Sequence, residues 1–228
     1  PGRAAAFADA AVGAISGMDN PPLYVDCNAI SPVTTLAINA KFEANRLPFA
    51  NASIIGNPPG GAAATKLYAS GALAGALDIL DGDGISVRQM GPDIVRASAI
   101  KMCYAGLTKG VMTLQTSVLL AGEMLGVYDE LAAEFADSQK AHWEALGQRG
   151  PFLSANAGRW AGEMDEIAET LGSVGLTDNM HKGAAEVLRF LDSTPLGAET
   201  PETLDRNRSL EETIKIYRAA LERRRAAE

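Results

Sequence analysis

This chain of 228 residues is poor in cysteine and histidine, and each shortage excludes a class of protein. Two cysteines, Cys27 and Cys103, are too few for a disulfide scaffold and predict a reduced, cytoplasmic protein. The two histidines, His142 and His181, lie in no cluster of His, Cys, Asp and Glu with zinc spacing. The sequence therefore predicts no metal site.

Long hydrophobic runs and basic stripes are also missing. The only long apolar run, residues 111–125, contains threonines, a serine, a glutamine and a glutamate, so it is too short and too polar to span a membrane. Asp9 interrupts the alanine-rich start, and no secretory signal is predicted. The net charge is −8, and the one basic cluster is Arg223–Arg225. We therefore expect neither a membrane nor a nucleic acid as a partner.

The first ninety residues alternate short apolar strands with helical segments. Strands are predicted at 23–27, 48–55, 66–70 and 85–89, and helices at 1–16, 33–45 and 73–80. A strand, a helix and a strand within about 30 residues are typical of a right-handed βαβ unit with parallel strands. The segment 1–91 therefore predicts half of an α/β sheet.

The stretch 91–126 predicts one long helix that is apolar nearly all round. Apolar residues recur every three or four positions along one side, and Ile94, Ala97 and Met112 lie on the other side. Such a helix lies in a core, and at 1.5 Å per residue it would reach roughly 50 Å, more than one small domain needs. We interpret it as a spine shared by two domains or by two subunits.

The remainder of the chain is helical in pattern. Helices are predicted at 127–146, 152–171, 176–191 and 209–225, the last with a capping box formed by Ser209 and Glu212. The predicted fold class is therefore a parallel α/β sheet domain at 1–91, followed by an all-α domain at 92–228 that is built round the long helix.

Lys101 is the residue of the long helix that most strongly indicates chemistry. Its helical neighbours, Ala97, Ser98, Ala105 and Thr108, are all small, so a cavity could form around the ammonium. Burial lowers the pKa of a lysine towards the range that proton transfer requires. The alternative is that Lys101 reaches solvent along its aliphatic stem or pairs with a carboxylate.

Two loops of the first domain could hold a ligand, because ligands of open α/β sheets lie beyond the carboxyl ends of the strands. In residues 26–32, Asn28 could bind a ligand with its amide, or it could form only a turn before a helix capped by Ser31. The loop 56–61 suits backbone N–H groups near an anion, or it is a connector. No Gly-x-Gly-x-x-Gly follows a strand, so the dinucleotide fingerprint is missing from this sequence.

Three stretches together resemble the β-hydroxyacid dehydrogenase superfamily, which includes 3-hydroxyisobutyrate and 6-phosphogluconate dehydrogenases. They are residues 24–32 (YVDCNAISP), 51–59 (NASIIGNPP) and 97–102 (ASAIKM). The run from Lys101 to Gly110 is similar to the branch whose helical C-terminal domain has no known function. The resemblance covers essentially the whole chain.

The resemblance implies a partial Rossmann domain at 1–91 that binds NAD or NADP, and a helical substrate and dimerisation domain at 92–228. The glycine fingerprint and the first strands would then precede Pro1. Lys101 is implied as the catalytic residue, which polarises the substrate oxygen and moves its proton during hydride transfer. The implied substrate-binding residues are Ile55, Gly56, Asn57, Tyr104 and His181, and the implied cofactor-binding residues are Pro1, Asn28 and Lys182.

The sequence departs from the family pattern near these positions. Ala105 stands where the family has an asparagine one turn after the lysine, and Tyr104 could replace its help in orienting the substrate. Residues 55–57 replace a Ser-Gly-Gly loop, and Lys182-Gly183 matches a Lys-Asp pair. These departures leave room for a bulkier or less acidic substrate and for imine reduction.

The sequence therefore predicts an NAD(P)-dependent dehydrogenase or reductase. It would transfer a hydride between the nicotinamide and a small hydroxy acid or alcohol, with Lys101 as general acid and base. The resemblance also implies a homodimer with interleaved helical domains. The alternative is a non-catalytic binding or dimerisation module, because the fingerprint is missing.

Overall fold

The structure is a computed structural model that describes residues 1–61, 63–200 and 202–227. In these residues the strands are β1 (Tyr24–Asp26), β2 (Phe49–Ile55), β3 (Thr65–Ser70) and β4 (Ile85–Gln89). The α-helices are α1 (Ala4–Ile15), α2 (Pro32–Ala44), α3 (Arg96–Leu125), α4 (Tyr128–Ser138), α5 (Lys140–Arg149), α6 (Ala157–Ser173), α7 (Asn179–Asp192) and α8 (Leu210–Ala227).

The four strands form one sheet in the order β1-β2-β3-β4. The pairs β1–β2 and β3–β4 are parallel, as predicted, and Asp26 lies opposite Asn51 in the first pair. The pair β2–β3 is antiparallel, which corrects the prediction of parallel strands throughout. Residues 56–61 and 63–64 form no helix, and the connection is shorter than the roughly dozen residues that a parallel crossover needs.

The two faces of the sheet bury different clusters of apolar side chains. Phe49 of β2 packs on one face with Tyr24 and with Phe42 of α2, at ring-centroid distances of 5.8 Å and 5.1 Å. Ala50 and Ala52 point to the other face, where a 3-10 helix (Ala74–Leu80) covers part of the sheet. Alternation along β2 therefore places the odd-numbered residues of the strand under α1 and α2.

The predicted spine is present as one helix of 30 residues, α3. It begins at Arg96 instead of residue 91, because Gly91 has a φ of +87°, and it ends before Gly126, whose φ is +74°. The chain forms two compact units, and it passes from one to the other inside α3, inside α6 and just before α7. Unit 1 comprises Pro1–Gly106 and Asp165–Asp178, and unit 2 comprises Leu107–Met164 and Asn179–Glu228.

The chain after α3 is helical, as predicted, but the first helix predicted there differs from the structure. Residues 127–146 form two helices, because Gln139 leaves the helical conformation with φ −133° and ψ 40°. The predicted capping box is confirmed, since Ser209 N donates to Glu212 Oε2 (2.8 Å) and Glu212 N donates to Ser209 Oγ (3.1 Å). None of the helices in the described ranges has the length and apolar content that crossing a bilayer requires.

Candidate functional site

Lys101 lies in the second turn of α3, within unit 1. Its small neighbours Ala97, Ser98 and Ala105 are buried, and Lys101 itself is half-buried. The ammonium Nζ donates a hydrogen bond of 2.6 Å to the main-chain carbonyl of Ile54. The helix α3 therefore places the positive charge of Lys101 at the end of β2.

This contact lies beyond the part of β2 that pairs with β1. Asn51 is the last residue of β2 that is in register with β1, whereas Ile54 is three residues further on. Ile55 is buried, and Gly56 follows with a φ of +125° that favours glycine. The ammonium is thus placed at the carboxyl end of a parallel strand, the edge of the sheet where ligands of α/β proteins bind.

The loop after β2 lines a cavity of about 510 Å³. Gly56 and Asn57, two of the predicted substrate-binding residues, form its rim together with Cys27. The main-chain carbonyl of Asn57 accepts a hydrogen bond from Thr65 Oγ1 at the start of β3, which fixes the loop. The rest of the lining is apolar except for Thr65: Val25, Ile54, Pro58, Pro59, Leu67, Leu77, Leu80 and Ile85.

Asn28 takes part both in a turn and in a second cavity. Its main-chain N–H and its Nδ2 donate to Oδ1 of the buried Asp26, at 2.7 Å and 3.0 Å, so the turn that we predicted as the alternative is present. Asn28 also lines a cavity of about 620 Å³ together with Pro1 and Phe7. Two of the predicted cofactor-binding residues, Pro1 and Asn28, are therefore brought to one cavity.

The end of β1 is electrostatically unfavourable for further negative charge. Desolvation, followed by the charge of Asp26 and that of Cys27, raises the pKa of Tyr24 to about 12. Desolvation and then the same Asp26 carboxylate raise the pKa of the Cys27 thiol. Cys27 therefore stays a neutral thiol over a wider pH range than an ordinary cysteine.

The other predicted site residues are distributed over both units. Tyr104 belongs to unit 1 and is exposed. His181 and Lys182 belong to unit 2, at the start of α7. His181 is half-buried, and its Nε2 lies so near α3 that a Cβ at Gly110 would be 3.4 Å away, while Lys182 is exposed.

Two carboxylates at the start of α2 were not indicated by any pattern in the sequence. Ser31 caps α2, as its hydroxyl accepts from Thr34 N at 2.9 Å. Glu166 Oε2 accepts from Ser31 N (2.7 Å) and from Thr34 Oγ1 (2.8 Å), and Glu169 Oε2 accepts from the Ser31 hydroxyl. Because these partners are more than 130 residues apart in the chain, no local pattern could reveal the contact.

Metal binding has no support in the part of the chain that the structure describes. Among the residues with described positions, no three His, Cys, Asp or Glu side chains lie close enough together to hold a metal ion.

Residues 123–191 match the family model described as a domain of unknown function, DUF1932. A curated relative, the uncharacterized 28.5 kDa protein in the 7S RNA 5′ region of Methanothermus fervidus, is 30% identical over 109 residues. The match covers 48% of this chain and 41% of the relative. The chain therefore spans less than half of the length of the curated relative that it matches.

Two solved structures are similar over most of the chain. MTH1747, a conserved protein of unknown function described as similar in structure to 3-hydroxyacid dehydrogenases, is 28% identical with a TM-score of 0.60. That similarity covers 84% of this chain and 72% of MTH1747. The 3-hydroxyisobutyrate dehydrogenase of Mycobacterium tuberculosis, solved with L-serine, is 14% identical with a TM-score of 0.61, over 94% of this chain and 76% of the enzyme.

The fold is that of the 3-hydroxyisobutyrate dehydrogenase-like proteins: a mostly parallel sheet of four strands with helices, followed by a helical C-terminal region. The match to the DUF1932 model, residues 123–191, lies in this helical C-terminal region. The resemblance to the β-hydroxyacid dehydrogenase superfamily, and to its branch with a C-terminal domain of unknown function, is confirmed.

Proposed function

We propose that this chain is part of an NAD(P)-dependent oxidoreductase that transfers a hydride between the nicotinamide and a small hydroxy acid or alcohol. The observation that carries the proposal is the position of the Lys101 ammonium, which hydrogen-bonds to Ile54 O at the carboxyl end of β2. The loop that starts at Gly56 lies directly beside this contact and borders an open cavity. The dehydrogenase-like fold supports the same interpretation.

Lys101 would act as general base and general acid. Oxidation of an alcohol removes a hydride from carbon and a proton from the hydroxyl oxygen. A neutral Lys101 amine has two N–H groups and a lone pair, so it can keep its bond to Ile54 O while it takes the hydroxyl proton. In the direction of reduction, the ammonium would polarise the carbonyl oxygen and return the proton to it.

NAD or NADP would supply or accept the hydride when it is bound. The cavity of about 620 Å³ beside Pro1 and Asn28 has the size of a small-molecule site, and the Asn28 amide offers an oxygen acceptor at its edge. Pro1 and Asn28 fit one end of a nicotinamide cofactor, and the family resemblance adds Lys182 as a predicted cofactor contact. The choice between NAD and NADP depends on a ribose-reading residue that follows the fingerprint, which this sequence lacks.

The substrate would lie near Ile55, Gly56 and Asn57. Gly56 and Asn57, together with Ile54, line the cavity of about 510 Å³, whose wall is largely apolar. A part of the substrate that reaches from the Lys101 contact into this cavity would therefore be apolar and not a second acid. The family resemblance adds Tyr104 and His181 as proposed substrate contacts.

The exposed apolar side chains of α3 support a homodimer as part of the proposal. Leu107, Leu114 and Leu125 are each more than 60% exposed although they belong to a helix that is apolar on most sides. A second copy of the chain would remove this apolar surface from water. Sedimentation should then give a dimer at micromolar concentration, and a monomer at all concentrations would contradict this part.

The test of the function is the variant Lys101→Ala in a protein that also carries the upstream half of the Rossmann domain. We expect hydride transfer, followed by nicotinamide absorbance with a panel of small hydroxy acids and alcohols, to fall by roughly 10²–10⁴-fold. Lys66→Ala, which removes an exposed lysine from β3, is the matched control and should leave the rate unchanged. An undiminished rate in Lys101→Ala would eliminate the assignment.

A further inference from the structure

A chain of buried hydrogen bonds ties the start of α3 to β2. Asn51 of β2 donates from Nδ2 to the carbonyl of Ile94 (2.8 Å) and to Oγ of Ser98 (2.9 Å). Ser98 Oγ lies 2.7 Å from Oγ1 of Thr35, which belongs to α2. Asn51, Ser98 and Thr35 are each 0% exposed, so no water competes for these bonds.

Thr35 determines which atom donates and which atom accepts in each of these hydrogen bonds. Its Oγ1 is 2.9 Å from the carbonyl of Ser31, which can only accept, so the single hydroxyl hydrogen of Thr35 points there. The bond between Thr35 and Ser98 is therefore donated by Ser98, and Ser98 in turn accepts from the Asn51 amide. This series of hydrogen bonds is complete only when residue 51 carries a donor, which an ionised aspartate lacks.

The same strand and the same helix meet again three residues later. Ile54 follows Asn51 by three positions, Lys101 follows Ser98 by three positions, and Ile54 O accepts from Lys101 Nζ. A displacement of α3 that breaks the contact between Asn51 and Ser98 therefore also moves the ammonium. These two contacts link residues 51–59 to residues 97–102, two of the three stretches that carry the family resemblance.

We propose that Asn51 is a positioning residue for Lys101. By holding Ser98 and the Ile94 carbonyl, the Asn51 amide sets the register of α3 against β2 and so the place of the ammonium at the strand end. The chemical role of Lys101 rests on the proposed function, whereas its position depends only on the contacts described.

A second set of hydrogen bonds, from β3, also holds the start of α3. A variant that weakens the bonds to β2 should therefore still fold, so the proposal can be tested on a folded protein. Ser70 of β3 donates from Oγ to the Ile94 carbonyl (2.8 Å) and accepts from Ala97 N (3.1 Å). Loss of the Asn51 donor therefore leaves the helix start attached to β3 while its bonds to β2 are weakened.

The experiment is competitive acetylation of the lysine amines with acetic anhydride, measured by mass spectrometry. It compares the unmutated protein with Asn51→Asp. An ionised carboxylate at residue 51 cannot donate to Ile94 O or to Ser98, and a protonated one has a single hydrogen for these two acceptors, so at least one bond is lost in either state. We therefore expect acetylation of Lys101 to increase at least threefold relative to the exposed Lys66. The matched controls are Asn39→Asp on α2 and Ser53→Ala, a buried hydroxyl on the same face of β2 that lies outside the chain of bonds. Neither control should change the ratio.

An unchanged ratio in Asn51→Asp with native circular dichroism would overturn the proposal. If Asn51→Asp does not fold, Ser98→Ala decides by the same measurement, because it removes the link between Asn51 and Thr35 and keeps the bond to Ile94 O. An unchanged ratio of Lys101 to Lys66 acetylation in Ser98→Ala would also contradict the proposal.

Activity measurements separate this proposal from the proposed function. In a protein with the upstream half restored, Asn51→Asp should lower kcat about tenfold and shift the pH profile, with an unchanged KM for the cofactor. Full activity in Lys101→Ala would refute the proposed function, and the acetylation ratio would still decide whether Asn51 positions the ammonium.

Discussion

Lys109 forms an ion pair with Glu163, whose side chain is only 1% exposed. The Lys109 ammonium also lies 4.8 Å from the ring centroid of Trp160, and Arg159 holds the second carboxylate oxygen of Glu163 at 2.8 Å. A buried carboxylate is tolerated only when its charge is compensated, and here two cations from two helices share that task.

We predict that Lys109→Met destabilises the protein by about 3 kcal/mol, because it leaves the Glu163 carboxylate buried with one cation instead of two. Urea unfolding followed by circular dichroism measures the change. The double variant Lys109→Met with Glu163→Met should lose less than the single one. Lys215→Met, which breaks the exposed pair with Glu211, is the control and should change stability far less than Lys109→Met. Equal losses in the two lysine variants would contradict the prediction.

The thiol of Cys27 should react slowly at neutral pH although the residue is exposed. Its pKa is raised by desolvation and by the Asp26 carboxylate, so the thiolate, which is the nucleophile, forms only at higher pH than in an ordinary cysteine. In Asp26→Asn the midpoint of the pH dependence of alkylation by iodoacetamide should move to lower pH. Cys103 in the same samples is the internal reference. A midpoint that stays in place or rises in Asp26→Asn would show that Asp26 does not influence the thiol.

We predict that the free energy of unfolding falls in alkali because of Tyr24. Its pKa is raised to about 12 in the folded protein, whereas an unfolded chain has the ordinary value of 10.0. The folded state therefore holds the proton more tightly, so this contribution is complete below pH 10 and is lost as pH rises from 10 towards 12. Tyr24→Phe should make the free energy of unfolding less dependent on pH in this window. Because burial also raises the pKa of Tyr128 to about 12, Tyr128→Phe should do the same, and the double variant more.

The order of strands and helices could be predicted from the sequence because it depends on local patterns. The β-type run that ends at Asp26, the helix capped by Ser31 and the box at Ser209 are each encoded within a few residues. The direction of β3 was predicted wrongly, because direction depends on the connection after Gly56 and on pairing with β2. The break at Gln139 was missed, since the apolar pattern continues across it.

The candidate site could be predicted less completely. Small neighbours indicated a sheltered Lys101, and the structure places its ammonium on Ile54 O. The buried bond of Asn51 to Ser98 of α3 and the contact of Glu166 with Ser31 at the start of α2 join parts of the chain that are 47 and 135 residues apart. Nothing in a single sequence reports such distant contacts, so these residues become visible only in three dimensions.

The antiparallel return from β2 to β3 makes the loop after Ile55 independent of the pairing of the two strands. Since residues 56–64 carry no crossover helix among their described members, insertions there would lengthen a turn without altering either strand. Under the proposed function, a change of substrate would then need changes in this loop alone, while the Lys101 ammonium kept its place on Ile54 O.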